Sequence, residues 1–255
     1  MKFSFSQAAL ARSCAVLVII FVTGCAQIAT SPSSPNASDI ASPTTLFAPP
    51  NDAANAAWHS VNIRFKTPTV YSNATVDGVA CIRAQADGAW SLLVATVPPA
   101  LHKGGLLSWR WRASAFVAGA DNLVPGKDDA AVRVVVAFKG DRHTLDAAER
   151  ATMSLAKALG GNELPYAAIQ YIWEANAPLE TIAVNGNTSR IKKIVVKSGS
   201  DGLNAWQSVA RDVRADFRRA FPGEEPGDIE SVGLMTDTDS LGGKIEACYA
   251  DIQLR

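Results

Sequence analysis

The 255-residue chain lacks an excess of charge of either sign: 24 Lys and Arg stand against 24 Asp and Glu. That balance removes the electrostatic reason to expect nucleic acid, whose binding draws on a surplus of basic side chains facing phosphate. Long apolar runs are missing too, which excludes a polytopic membrane protein. With 48% apolar and 19% charged residues, the chain is neither a disordered polyelectrolyte nor a collagen. Catalytic motifs are also absent. The three histidines, His59, His102 and His143, accompany no Gly-x-Ser-x-Gly elbow, His-Glu-x-x-His helix or Cys-x-x-Cys pair.

What is present begins with an address. Lys2 and Arg12 precede a short apolar run, Cys14 to Val22. Its length falls far below the roughly 20 residues that span a bilayer, so residues 1–24 read as a secretory signal. The run ends in Val22-Thr23-Gly24-Cys25, which resembles the bacterial lipobox. The resemblance implies an acylated Cys25, with palmitate among its chains, and Ala26 behind it implies sorting to the outer membrane. Two or three acyl chains anchor stably, since each buried CH₂ contributes about 0.8 kcal/mol. The remainder of 25–57 holds Pro32, Pro35, Pro43, Pro49 and Pro50 among Ser, Thr, Asn and Ala. It reads as a semi-extended tether on the periplasmic side.

Residues 58–255 read as one all-β-dominated domain that carries all six tryptophans. Short β-branched or aromatic runs are predicted as strands at 79–86, 92–97, 106–113, 130–138, 167–174, 191–197, 229–236 and 246–254. Turn residues separate them, which favours a sandwich over βαβ units. Two helices are predicted as packing elements. The first, 144–159, turns Leu145, Ala148, Thr152, Leu155 and Leu159 to one face, with Gly160 as its stop. The second, 211–221, ends at Pro222. In 106–113, alternation sends Leu107, Trp109, Trp111 and Ala113 to one face and Ser108, Arg110 and Arg112 to the other. The tryptophan face is predicted to be core.

Several segments together resemble the domain-of-unknown-function 3047 family. They are LSWRWR (107–112), DDAAVRVVVAF (128–138), LPYAAIQYIW (164–173), RDVRADFRRAF (211–221), MTDTDS (235–240) and YADIQL (249–254). The chain departs from the family pattern at Ser240-Leu241-Gly242, where Asn-Thr-Gly is common, and at Ala86 to Ser91, where a small Ser/Ala-rich stretch gives way to one containing Trp90. The resemblance implies a jelly-roll, galactose-binding-like sandwich and carries no established activity.

Five constellations bear on chemistry. Arg110, Arg112, Asp128, Asp129, Arg133, Asp237 and Asp239 form a candidate polar cluster on one sheet face. It would be either a structural ion-pair network or a site for a carboxylate-bearing glycan. Asp237 and Asp239, with Asp251 as a third ligand, are a sparse candidate for calcium, which takes six to eight oxygens; no other cofactor is expected. Asp129, Glu174, Asp237 and Asp239 are the carboxylates available to a two-carboxylate glycan-cleaving site, or are ordinary surface groups. Tyr171, Trp173 and Trp206 are either core or a platform for sugar CH faces. Cys81 and Cys248 are a candidate disulfide in an oxidising compartment, for which chain entropy suggests about 4–5 kcal/mol. The functional expectation is a lipid-anchored module of the cell envelope that binds a glycan or a partner. A glycan-cleaving enzyme and a purely structural envelope subunit are the alternatives.

Overall fold

The computed structural model describes residues 44–45 and 58–255. Residues 1–24, the acylation candidate Cys25 and most of the tether lie outside the described residues. Among the described residues, no helix is long and apolar enough to cross a membrane.

The fold is mostly β: two stacked sheets of jelly-roll-like layout that do not close on each other, with two helices. The strands are β1 (Thr44–Thr45), β2 (Trp58–Asn62), β3 (Val70–Val76), β4 (Val79–Asp87), β5 (Ser91–Thr96), β6 (Leu106–Ala113), β7 (Ala130–Phe138), β8 (Ala167–Glu174), β9 (Ile182–Asn185), β10 (Thr188–Ser198), β11 (Gln207–Asp212), β12 (Ile229–Asp237) and β13 (Lys244–Leu254). The helices are α1 (Ala147–Gly160) and α2 (Val213–Ala220). Sheet A runs β11-β6-β13-β4-β3, with β1 also pairing β13; sheet B runs β2-β5-β12-β7-β8-β10-β9. All pairings are antiparallel except β8 with β10.

The core lies between the sheets. β6 alternates as its sequence predicts: Leu107, Trp109, Trp111 and Ala113 are buried, while Ser108, Arg110 and Arg112 stay partly exposed. The Trp109 ring meets Trp111 edge-on at 5.4 Å and Tyr171, from sheet B, at 5.3 Å. β7 and β8 are buried along their whole length, in keeping with apolar runs that do not alternate. Elements pack over the outer face of sheet B as well. α1 meets β10, where Glu149 accepts from Thr188 Oγ1 and Ser189 N, and the segment just after the helix meets β2, where Asn162 Nδ2 donates to Asn62 O. The 120–129 loop covers the opposite end, as its hydrogen bonds below show.

The helices differ from expectation in detail. Asp146 caps α1 by accepting from Glu149 N, while the Glu149 carboxylate turns to Thr188 and Ser189 and not back to the cap. The left-handed residue that ends the helix is Gly161 rather than Gly160. Within α1 only Met153 is buried; Leu155 and Leu159, expected to pack, are 58% and 64% exposed. Residues 211–212 belong to β11, and Asp212 caps α2 by accepting from Arg214 N and Ala215 N. Within the predicted tether, Thr44 and Thr45 pair with Leu254 and Gln253, so this stretch adds a short strand to sheet A.

Candidate functional site

The predicted polar cluster divides. Arg133, Asp128, Asp129, Asp237 and Asp239 gather at one end of sheet B. Arg110 and Arg112 lie on the outer face of sheet A. β6 and β7 both show charge on the face opposite their core residues, but they belong to different sheets, so the same alternation sends their arginines to opposite sides of the sandwich.

On sheet B the charged groups are enclosed. Arg133 is 2% exposed. Its guanidinium donates to Gln170 Oε1 at 3.0 Å, to Asp237 at 3.1 and 3.2 Å and to the Asp128 carbonyl. Lys193 on β10 donates to Asp128 Oδ2 at 3.0 Å and Asn122 O at 3.3 Å. Asn122 donates its amide N–H to Glu174 Oε1 and its side-chain amide to Asp129 O. The 120–129 loop is thereby held over both cations. Burial raises the Glu174 carboxyl above its usual range. Burial also pushes Asp237 up to about 7; Arg133 opposes this, while Asp129 and Asp239 add to it. Asp128 stays below its ordinary value because Lys193 and Arg133 outweigh its burial.

Asp129, Asp237 and Asp239 each present an oxygen within 4.8 Å of the others. This is the grouping that could hold a divalent cation, and Asp129 occupies the place expected of Asp251. Its oxygens are already engaged. Asp129 accepts from Ser240 N at 3.0 Å and Leu241 N at 2.8 Å, Asp237 from Ala130 N and Arg133, and Asp239 from Lys66. A calcium ion would need these donors displaced and several more oxygens supplied, so the fit is poor. The same bonds close Asp129 and Asp237 to a substrate. Beside Lys193, a polar cleft of about 80 Å³ lined by Asn122, Asp128 and Asn187 is far below the roughly 300–1,000 Å³ of ordinary ligand pockets.

On sheet A the charged groups are open to solvent. Residues Trp206, Arg112, Cys248 and Arg83 lie on the outer side of the sheet, as do Arg110, Ala250 and Cys81 along the neighbouring row. The Arg110 guanidinium sits over the Trp206 ring at 5.5 Å and binds the Asp251 carboxylate. Asp251 occupies a bulge of β13 between Ala250 and Gln253, with φ of 50°. A non-glycine residue in the left-handed region is uncommon, and Asp tolerates it better than most. The bulge re-aims this carboxylate toward Arg110 and away from Asp237, which corrects the expected Asp237–Asp239–Asp251 group. Arg112 Nε donates to Asn204 O at 3.1 Å and lies 3.3 Å from Asp77 Oδ2. Of the three aromatics weighed as a platform, Tyr171 and Trp173 are core, and only Trp206 is half-buried at the surface. Its placement beside Arg110 needed β11, a strand the alternation did not signal.

Cys81 and Cys248 are adjacent but are free thiols in the structure, not the expected disulfide.

The family model described as "Protein of unknown function (DUF3047)" matches residues 56–253, and the chain belongs to that family. No curated protein matches it. Among solved structures, it is similar to a family 11 carbohydrate-binding module of the cellulosomal cellulase Lic26A-Cel5E of Clostridium thermocellum. That pair has 11% identity, covering 78% of this chain and 86% of the other, with a TM-score of 0.36. It is also similar to endoglucanase 3 of family GH12 from Trichoderma harzianum (8% identity, 78% and 91% covered, TM-score 0.42). A third is endoglucanase cel12A from Rhodothermus marinus (9% identity, 78% and 93% covered, TM-score 0.40).

Proposed function

We propose that this chain is a lipid-anchored, non-catalytic module of the cell envelope that binds a glycan on the outer face of sheet A. The observation that carries the reading is the stacking of Arg110 on a half-buried Trp206, with the Asp251 carboxylate turned onto the same guanidinium by a bulge. An indole ring offers an apolar face to sugar C–H groups. Guanidinium and carboxylate beside it supply donors and acceptors for hydroxyls, and Arg110 or Arg112 can take a uronic acid carboxylate in two-pronged fashion. Arg110 sits on β6 and Asp251 on β13, and Trp206 immediately precedes β11, so the backbone at the site is held by its neighbours and little ordering cost falls on binding. Anchorage rests on the Val22-Thr23-Gly24-Cys25 pattern behind the apolar run.

Binding is favoured over cleavage because the carboxyl pair suited to acid–base work, Asp129 and Asp237, is 1% and 4% exposed and engaged in hydrogen bonds. The test is a titration of the protein against neutral and uronic-acid polysaccharides. Saturable binding is expected, weakened about tenfold in Trp206→Ala, as the loss of one stacking contact of about 1.4 kcal/mol predicts. No saturable binding to any of them, or equal binding by Trp206→Ala, defeats the proposal. Co-purification with an envelope complex and no glycan affinity would favour the structural-subunit alternative.

A further inference from the structure

We infer that Cys81 and Cys248 form an oxidisable dithiol site, covered by the β3–β4 hairpin tip and Trp206, that reacts with an oxidant of the disulfide class. The inference is independent of the glycan reading. Cys81 is on β4 and Cys248 on the adjacent β13; both side chains are on the outer face of sheet A, clustered with Ala250 beneath Ala74, Val76, Val79 and Trp206. They are 0% and 2% exposed.

What covers them is local and lightly held. The hairpin tip is Val76-Asp77-Gly78-Val79, with Asp77 and Gly78 both at positive φ (52° and 76°). This is the Asp-Gly signature of a two-residue hairpin turn. Two contacts fasten it over the thiols: Trp206 Nε1 donates to Val76 O at 3.2 Å, and Arg112 Nε lies 3.3 Å from Asp77 Oδ2. Asp77 is 61% exposed on its side chain, so that ion pair contributes little. Small openings of the tip therefore admit a reagent without unfolding the sandwich.

The two sulfurs are unequal. Cys248 faces Arg83 across the strand pair; the adjacent Cys81 thiol and that guanidinium favour the Cys248 thiolate, while burial and Glu246 oppose it. The neighbouring Cys248, with burial, pushes the Cys81 thiol up. Cys248 is thus the attacking sulfur. Its thiolate attacks one sulfur of the oxidant disulfide, forming a mixed disulfide and expelling one thiolate. Cys81 then gives up its proton, attacks the Cys248 sulfur and expels the second thiolate. The pair loses two electrons and two protons, and the oxidant becomes two thiols. In the strand register Cys248 faces Arg83, so Cys81 is its diagonal neighbour.

The experiment treats the full chain, Cys81→Ser and Cys248→Ser with oxidised glutathione, followed by mass spectrometry of unreduced digests. In the unmutated chain, peptides containing Cys81 and Cys248 are expected to be joined and lighter by two hydrogens, with no glutathione retained on either. Cys81→Ser is expected to keep glutathione on Cys248, whereas Cys81 stays unmodified in Cys248→Ser. Asp77→Asn is expected to speed the reaction about two- to fivefold, the opening effect of one exposed ion pair. Cys81 and Cys248 both still free after treatment of the unmutated chain overturns the dithiol assignment, and equal capture of glutathione by Cys81 in Cys248→Ser overturns Cys248 as the attacking sulfur. An unchanged rate in Asp77→Asn overturns the hairpin tip as its cover.

Discussion

The two outer faces of the sandwich handle charge in opposite ways. On sheet B, Arg133 and Lys193 are taken out of water under the 120–129 loop, and each finds carboxylate and carbonyl acceptors. On sheet A, Arg110 and Arg112 remain partly hydrated and share their partners with solvent. Desolvating a guanidinium is costly, so once Arg133 is buried its acceptors become obligatory. A cation left at the surface has no such obligation and is free to exchange its partner for a ligand. The enclosed network therefore reads as architecture, tying the 120–129 loop and the Thr238–Gly243 turn to the sheet end. The open one reads as a surface for recognition.

The largest effect that would break this contrast concerns Arg133. Arg133→Ala is expected to cost about 3–5 kcal/mol in denaturant unfolding, because Asp237 is then left buried without its counter-charge. Arg110→Ala should cost no more than about 1 kcal/mol. Equal losses would erase the distinction between the faces. Next, Asp129→Ala is expected to cost about 2 kcal/mol in the same measurement, since the Ser240 and Leu241 N–H groups lose their acceptor.

A third test uses pH. Asp237 binds its proton more tightly in the folded state, at about 7 against 3.8 for the ordinary group. Its stabilising contribution is full below the ordinary value, falls as pH rises toward about 7 and is flat above. The difference in Tm between Asp237→Asn and the unmutated chain should move in the mutant's favour across that window. Trp206→Ala removes packing over Cys81 and Cys248 and the bond to Val76 O, so it should lower stability as well as weaken glycan titration, whereas Arg110→Ala should weaken titration with little change in unfolding.

Much of the fold was legible because burial writes a pattern. β6, β7 and β8 have the bounds that their residues predict, since one alternates strictly and the other two are predominantly apolar runs, interrupted only by Arg133 in β7 and by Gln170 and the terminal Glu174 in β8. β3, with Ser, Asn and Thr in its interior, and the four-residue β9 carry no such pattern, because each is an edge strand held mainly by backbone bonds. β11 was hidden for another reason. Its Arg211 and Asp212 continue into the helical pattern of α2, and only the Asp212 cap marks the break. The candidate site was half legible. Arg110 and Arg112 stood out as cations opposite two indoles, but nothing local joined them to Trp206, about a hundred residues away in the chain.

The sequence by itself determined which side chains leave water. Period-two alternation and apolar runs are local properties, and they fixed the indoles of β6 inward and the chain's class as a β-sandwich. Which charges meet was decided by tertiary structure alone. Assignment of β6 and β7 to different sheets parted Arg110 and Arg112 from Arg133, and a one-residue bulge turned Asp251 to Arg110. Strand order and register are set by long-range pairing, whose energy is spread over backbone bonds that every residue type can make.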